Sequence, residues 1–127
     1  MKKATNEAVI IARHINAFLN EYVPSQKSCS NHTLKSYQHA LALYIGFLET
    51  EKGISAEKLC GECFSRTIIE EWLQWLMELR GCSPETCNNR LASLRTFLKY
   101  LGSREILKLY LFDDATRIQR KKEVRKK

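Results

Sequence analysis

Four thiols are the first residues in this chain whose type and spacing could do chemistry. Cys60-Gly61-Glu62-Cys63 is a C-x2-C knuckle, and Cys82 and Cys87 follow after an 18-residue gap. Two such pairs could hold a structural zinc in a tetrahedron of thiolates. Against that, Cys87 falls on a leucine stripe at helical spacing, where packing alone explains a small apolar side chain. A thioredoxin-like redox centre would need a strand ahead of the C-x2-C pair, and none is evident. With Cys29 the cysteines number five, odd and unevenly spaced, which argues against a closed disulfide framework and for free thiols in a reducing compartment. His14, His32 and His39 are scattered. No nucleophile elbow, phosphate-cradling glycine loop or H-E-x-x-H helix gives them partners. Tyr37 and Tyr44 stand at core spacing and read as packing residues with their hydroxyls near the surface. The expectation is a binding protein with no catalytic residue, no metal and no cofactor.

The elements that must position these residues are helices. In 127 residues with 44% apolar content there is room for one domain, and the apolar residues recur in steps of three and four. Thr5 can cap a first helix running to about Tyr22, ended by Pro24 and the polar stretch Ser25 to Ser28. A second starts after Ser30 and runs to about Lys52, with Leu34, Tyr37, Leu41, Tyr44 and Leu48 on one stripe and Gly53 as its stop. After a short segment from Ser55 to Leu59, a third spans about Ser65 to Leu79 and buries Ile69, Trp72, Leu73 and Leu76. Ser83, Pro84 and Glu85 are a strong start signal for a fourth. It is expected to reach about Leu101, burying Cys87, Leu91, Leu94, Leu98 and Leu101, with Gly102 ending it. A short fifth helix is expected from Ser103 to about Phe112. Beyond Asp113 and Asp114 the periodicity collapses, so the expected division is a helical domain over 1–114 and a mobile basic tail over 115–127. The second and fourth helices share a layout at an offset of 53 residues, read as similar placement and not as a duplication.

Charge is distributed unevenly. Of the formal +7, six units come from the tail, where Arg117, Arg120, Lys121, Lys122, Arg125, Lys126 and Lys127 face only Glu123. Such a tail suits a linker, a nonspecific phosphate-binding arm or a solubilising end, and composition does not choose among them. The helix faces are more informative. Opposite or flanking its leucines the fourth helix carries Asn88, Asn89, Ala92, Arg95, Thr96 and Lys99, and between Glu85 and Leu101 it has no carboxylate. Amides, hydroxyls and cations are the donors that contact phosphates and base edges. On that helix alone an ordinary solvated face explains the pattern equally well. The second helix tilts the balance, because Asn31, His32, Lys35, Ser36, Gln38 and His39 also lack acids while Glu49 and Glu51 sit at its far end. Together they suggest one shared anion-facing surface. No run of eighteen apolar residues occurs, and the start of the chain leads into an amphipathic helix, so no membrane partner is expected and the expected location is the cytosol.

These residues carry a resemblance. Phe18-Leu19-x-x-Tyr22, then Ser30-x-x-Thr33-Leu34-x-x-Tyr37-x-x-x-Leu41, then Ser83-x-x-Thr86-x-x-x-Arg90-Leu91-x-x-Leu94-Arg95-x-Phe97-x-x-Tyr100-Leu101 together resemble the N-terminal core-binding domain of tyrosine recombinases, the phage integrase family. The resemblance implies an all-α, SAM-like bundle of four or five helices that forms one jaw of a clamp on double-stranded DNA, its second and fourth helices facing the duplex. Carried over position by position, it implies contacts from His32, Thr33, Lys35 and Ser36 on the second helix. From the fourth it implies Thr86, Asn89, Arg90, Arg95, Thr96 and Lys99, with Arg90 near the edge of the buried stripe. The family's catalytic residues, including a His-x-x-Arg pair, belong to a separate C-terminal domain. Here His14, His32 and His39 are followed three residues on by Ala17, Lys35 and Ala42. Implied partners are therefore DNA, a C-terminal catalytic domain reached through the basic tail, and other recombinase protomers, in a nucleoid-associated bacterial or phage-encoded protein. The chain departs from many relatives in carrying Asp113-Asp114-Ala115 where they have Asn-Pro-Ala. The competing reading is a helical protein-interaction module using Trp75 and the outer face of the third helix, its tail attracting nucleic acid nonspecifically.

Overall fold

Four hydroxyl side chains open the long helices, each by accepting an otherwise orphaned backbone N–H three residues on. Thr5 accepts from Ala8 (3.1 Å), Ser30 from Thr33 (3.1 Å), Ser65 from Ile68 (3.4 Å) and Ser83 from Thr86 (3.1 Å). The computed structural model describes residues 3–26 and 29–123. Ser28 and the tail cations Arg125, Lys126 and Lys127 lie outside the described residues. The helices are α1 (Asn6–Ala17), α2 (Asn31–Glu51), α3 (Arg66–Glu78), α4 (Pro84–Arg104) and α5 (Leu109–Thr116). Short 3-10 turns at Ala56–Lys58, Gly61–Phe64 and Ile106–Lys108 join them, and no strand occurs among the described residues. The all-α bundle expected from the periodicity is the observed architecture.

Aromatic rings fill the centre. Tyr44 of α2 meets the edge of Trp72 of α3 at 5.0 Å and stacks on Phe64 at 5.3 Å. Phe64 leads on to Phe97 of α4 (6.2 Å) and from there to Phe18 (5.4 Å). The Tyr44 hydroxyl is not near the surface, as its spacing suggested. It is buried and donates to the Cys63 carbonyl at 2.5 Å, and burial holds its ionisation well above the usual phenol range.

Three boundaries differ from those read in the sequence. The first helix leaves α geometry after Ala17 and finishes as a π turn over Phe18–Tyr22, which stacks Phe18 on Tyr22 (5.8 Å) and sets Tyr22 against Tyr100 (4.9 Å). Gly102 does not end the fourth helix. It lies buried inside α4, where a Cβ would stand 2.9 Å from the Leu109 Cα, so glycine serves close approach of α5 and not chain reversal. The break falls at Glu105, in extended geometry (φ −126°, ψ 92°), and α5 begins only at Leu109 and continues through Asp113 and Asp114 to Thr116. A division after Asp114 would therefore cut through α5. Leu111, Ala115 and Ile118 are all buried, and residues 117–123 lie along α4 as a strap, not as a free tail.

Glu7 ties three of these pieces together. Its Oε2 accepts from the Lys108 Nζ (2.7 Å) ahead of α5 and from the Gly61 N–H (2.8 Å). Those two bonds, that of Lys108 first, hold the carboxyl below its ordinary 4.5. A carboxylate whose folded pKa is depressed adds stability that is full above its unfolded pKa and lost as pH falls through the folded value. Glu7→Gln should therefore lower the melting temperature slightly at neutral pH and flatten its acid-side fall below pH 4.5. The side chain is 40% exposed, so the effect should stay below about 1 kcal/mol. Melting curves over the acid range that remain parallel for the two proteins would refute it.

Candidate nucleic-acid interface

The acid-free halves of α2 and α4 face each other. Where they meet they form a cleft of about 280 Å³ lined by Thr33, Ser36, Tyr37, Asn89, Arg90 and Ser93. Thr33 and Tyr37 also line a neighbouring pocket of about 190 Å³ with Thr96, Tyr22, Val23, Gln26 and Cys29. Five of the ten residues expected to contact a polyanion thus share one groove: Thr33, Ser36, Asn89, Arg90 and Thr96. No carboxylate lines either part. The groove offers hydroxyls, an amide and a guanidinium, which suits an anion with several acceptor oxygens.

Arg90 is the strongest member. Its Nε is buried and has no hydrogen-bond partner among the described residues, and a buried donor left unmatched is costly by about 1–3 kcal/mol. The residue as a whole is half-buried and lines the cleft.

The other expected residues are not gathered there. Lys35 and His32 are exposed on α2, and Lys35 stands about 200° of helical rotation from Tyr37, outside the cleft. Thr86 is half-buried in the N-terminal cap of α4, where its N–H donates to the Ser83 Oγ and its hydroxyl oxygen accepts from that group, leaving its own O–H free to donate outward. Lys99 is exposed on α4.

Arg95 is engaged within the fold. Its Nε donates to the Ala115 carbonyl at 2.8 Å and one Nη donates to the Ile118 carbonyl, so the guanidinium fastens the strap. Burial, with Arg120 nearby, pulls its pKa down. Asn88, read as surface, is 4% exposed and does the same work: its Nδ2 donates to the Lys121 carbonyl (2.9 Å) and to Glu123 (2.9 Å), and its Oδ1 accepts the Lys121 N–H (2.7 Å). The sequence held one unused signal for this. Leu111, Ala115 and Ile118 continue a buried stripe at steps of four and three beyond the point where the periodicity was expected to end.

Elsewhere the structure leaves less room for chemistry. Cys60 and Cys63 are neighbours, with sulfurs 3.5 Å apart, but Cys87 is buried with its Sγ toward the Leu73 carbonyl (3.9 Å). No cluster of three or more metal-ligating side chains occurs among the described residues. Trp75, the anchor of the competing reading, is half-buried against Phe47 (5.4 Å) and lies 5.6 Å beneath the Arg80 guanidinium. No helix among the described residues is long and apolar enough to cross a membrane.

Bundle and groove together define an all-α domain of the SAM-like class. The family described as phage integrase, N-terminal SAM-like domain, matches residues 15–105, and the chain belongs to that family. The matched stretch runs from α1 through all of α4 and so contains the whole α2/α4 groove. No catalytic domain is evident in the chain. No curated protein and no solved structure matches it.

Proposed function

We propose that this domain binds double-stranded DNA for a site-specific tyrosine recombinase, gripping the phosphate backbone in the α2/α4 groove. The breaking and rejoining of strands belongs on this reading to a separate catalytic domain of the parent protein. The observation that carries the reading is the carboxylate-free groove with the Arg90 Nε beside it, buried and unpartnered among the described residues. Thr33, Ser36, Asn89, Arg90 and Thr96 form its centre, with His32, Lys35, Thr86 and Lys99 as flanking contacts at the rim. Arg95 acts one step removed, by holding the strap. Other recombinase protomers on the same DNA are the proposed protein partners. The strongly exposed Ile106 (80%) and Leu107 (87%) at the α4/α5 corner support a further protein contact.

Fluorescence anisotropy with a labelled mixed-sequence duplex, measured across a salt series, tests the groove. Each phosphate contact steepens the dependence of log K on log salt by about 0.9. Arg90→Ala with Lys99→Ala should therefore flatten the slope by about 1.8 and weaken binding at moderate salt by at least on the order of tenfold. An unchanged slope would sink the groove as the binding face. To measure what the tail contributes, the deletion must begin after Glu123, because one after Asp114 would also remove Ala115 and Ile118 from the core. If that shorter deletion abolishes binding and the double substitution does not, affinity comes from nonspecific attraction by the tail.

A further inference from the structure

The C-x2-C pair is the one chemistry-bearing motif that the groove leaves unused. Cys60 precedes the Gly61–Phe64 turn and Cys63 lies within it, and the Cys60 N–H donates to the Cys63 Sγ at 3.4 Å. The two sulfurs stand 3.5 Å apart. Cys60 is half-buried, open to a reagent from solvent, whereas Cys63 is 2% exposed. None of the other three cysteines is hydrogen-bonded to a second sulfur.

We propose that Cys60 and Cys63 are a dithiol that closes to an intramolecular disulfide by exchange with a small-molecule disulfide, making this turn a site of reversible oxidation. A disulfide bond is about 2.05 Å long, so the sulfurs must approach by about 1.5 Å. The surrounding chain is already held for this. Tyr44 grips the Cys63 carbonyl at 2.5 Å and Glu7 grips the Gly61 N–H at 2.8 Å, so the backbone of the turn is anchored at both residues while the thiol side chains rotate. This is not a thioredoxin-like centre, which places its pair after a strand.

Exposure sets the order of events. Cys60, as thiolate, attacks one sulfur of glutathione disulfide. The reagent's S–S bond breaks, a mixed disulfide forms on Cys60, and the first glutathione leaves as thiolate. Cys63 then gives its proton to solvent and attacks the Cys60 sulfur, forming the Cys60–Cys63 bond and releasing the second glutathione as thiolate. In sum two protein thiols are oxidised and one glutathione disulfide is reduced to two thiols, which take up the two protons. Burial pushes the Cys63 thiol up to about 11, which leaves the first attack to Cys60.

The test uses the full chain, reduced and freed of reductant, then held with excess glutathione disulfide at neutral pH without denaturant. After an acid quench, intact mass and peptide mapping are read. The expected product has lost two hydrogens from the peptide holding Cys60 and Cys63 and regains them with dithiothreitol, while Cys29 and Cys82 give at most glutathione adducts. In Cys63→Ser the reaction should stop at a stable glutathione adduct on Cys60. Should that variant fail to fold, the map of the unaltered protein decides alone. A persistent adduct on Cys60 beside a free Cys63 in the unaltered protein would overturn the proposal, as would an unreacted Cys60 or a bridge to any other cysteine. Duplex binding plays no part in the readout, so the result stands apart from the proposed function.

Discussion

Valine at position 102 should destabilise the protein by roughly 3 kcal/mol and lower its melting temperature by roughly 10 °C. Gly102 is buried in the last turns of α4, where a Cβ would lie 2.9 Å from both the Cα and the Cδ1 of Leu109. A leucine tip can rotate away, but the Cα is backbone, so α5 itself must move. That helix carries Leu111 and Ala115 into the core, both 1% exposed, and leads to Ile118. Overpacking of this kind costs about 1–3 kcal/mol, occasionally more, and valine sits at the upper end because it adds two further methyl groups. The gain in helix propensity over glycine offsets only a fraction of a kcal/mol. Gly46 supplies the control. It lies exposed in α2 with nothing within 4 Å of an added Cβ, so Gly46→Ala should be neutral or stabilising by up to about 1 kcal/mol. Chemical denaturation and thermal melts of the two variants separate close approach from propensity. A Gly102→Val protein as stable as the parent would remove the packing argument.

Arg95→Ala should release the strap and cost about 3 kcal/mol, since hydrogen bonds to charged groups contribute roughly 1.5–3 kcal/mol each and two are lost. The carbonyls of Ala115 and Ile118 each take one N–H from a single guanidinium. Lysine, with one compact ammonium, cannot span both in that geometry. The sensitive readout is backbone hydrogen exchange over 117–121, where the Lys121 N–H is held by the Asn88 Oδ1 at 2.7 Å. Faster exchange there, with earlier tryptic cutting at Arg117 and Arg120, is the expected result, and Asn88→Ala should reproduce it. The same variant distinguishes a clasp from a phosphate contact. If Arg95 is a clasp, the salt dependence of duplex binding changes little while the strap loses protection. A slope flatter by about 0.9 with strap protection unchanged would return Arg95 to the binding face.

Helix starts were legible because a cap is a local bond. Thr5, Ser30, Ser65 and Ser83 each act within three residues of themselves, and the stripe Leu91-Leu94-Leu98-Leu101 is a period read directly along the chain. The acid-free halves of α2 and α4 were equally visible, and packing joins them into the groove. Gly102 was misread because two different causes place glycine late in a helix. One is a left-handed terminus, which is local, and the other is the approach of a residue seven positions on, which is not. The strap bonds of Asn88 and Arg95 were illegible for a related reason. A helical projection tells which residues leave the apolar stripe, but not whether solvent or another part of the chain receives them.

The long helices that carry the groove were determined by residue type and spacing alone, through their caps and apolar stripes. Tertiary structure decided how each polar side chain is used. It turned Arg95 and Asn88 inward onto the strap, left the Arg90 Nε without a partner among the described residues, and set the Cys60 and Cys63 sulfurs 3.5 Å apart. The physical reason is that caps and stripes are satisfied within a turn or two of helix. The partner of a guanidinium, an amide or a buried thiol is whatever the folded chain brings within hydrogen-bonding distance, and in this protein the α4 clasp partners lie 20 to 35 residues away.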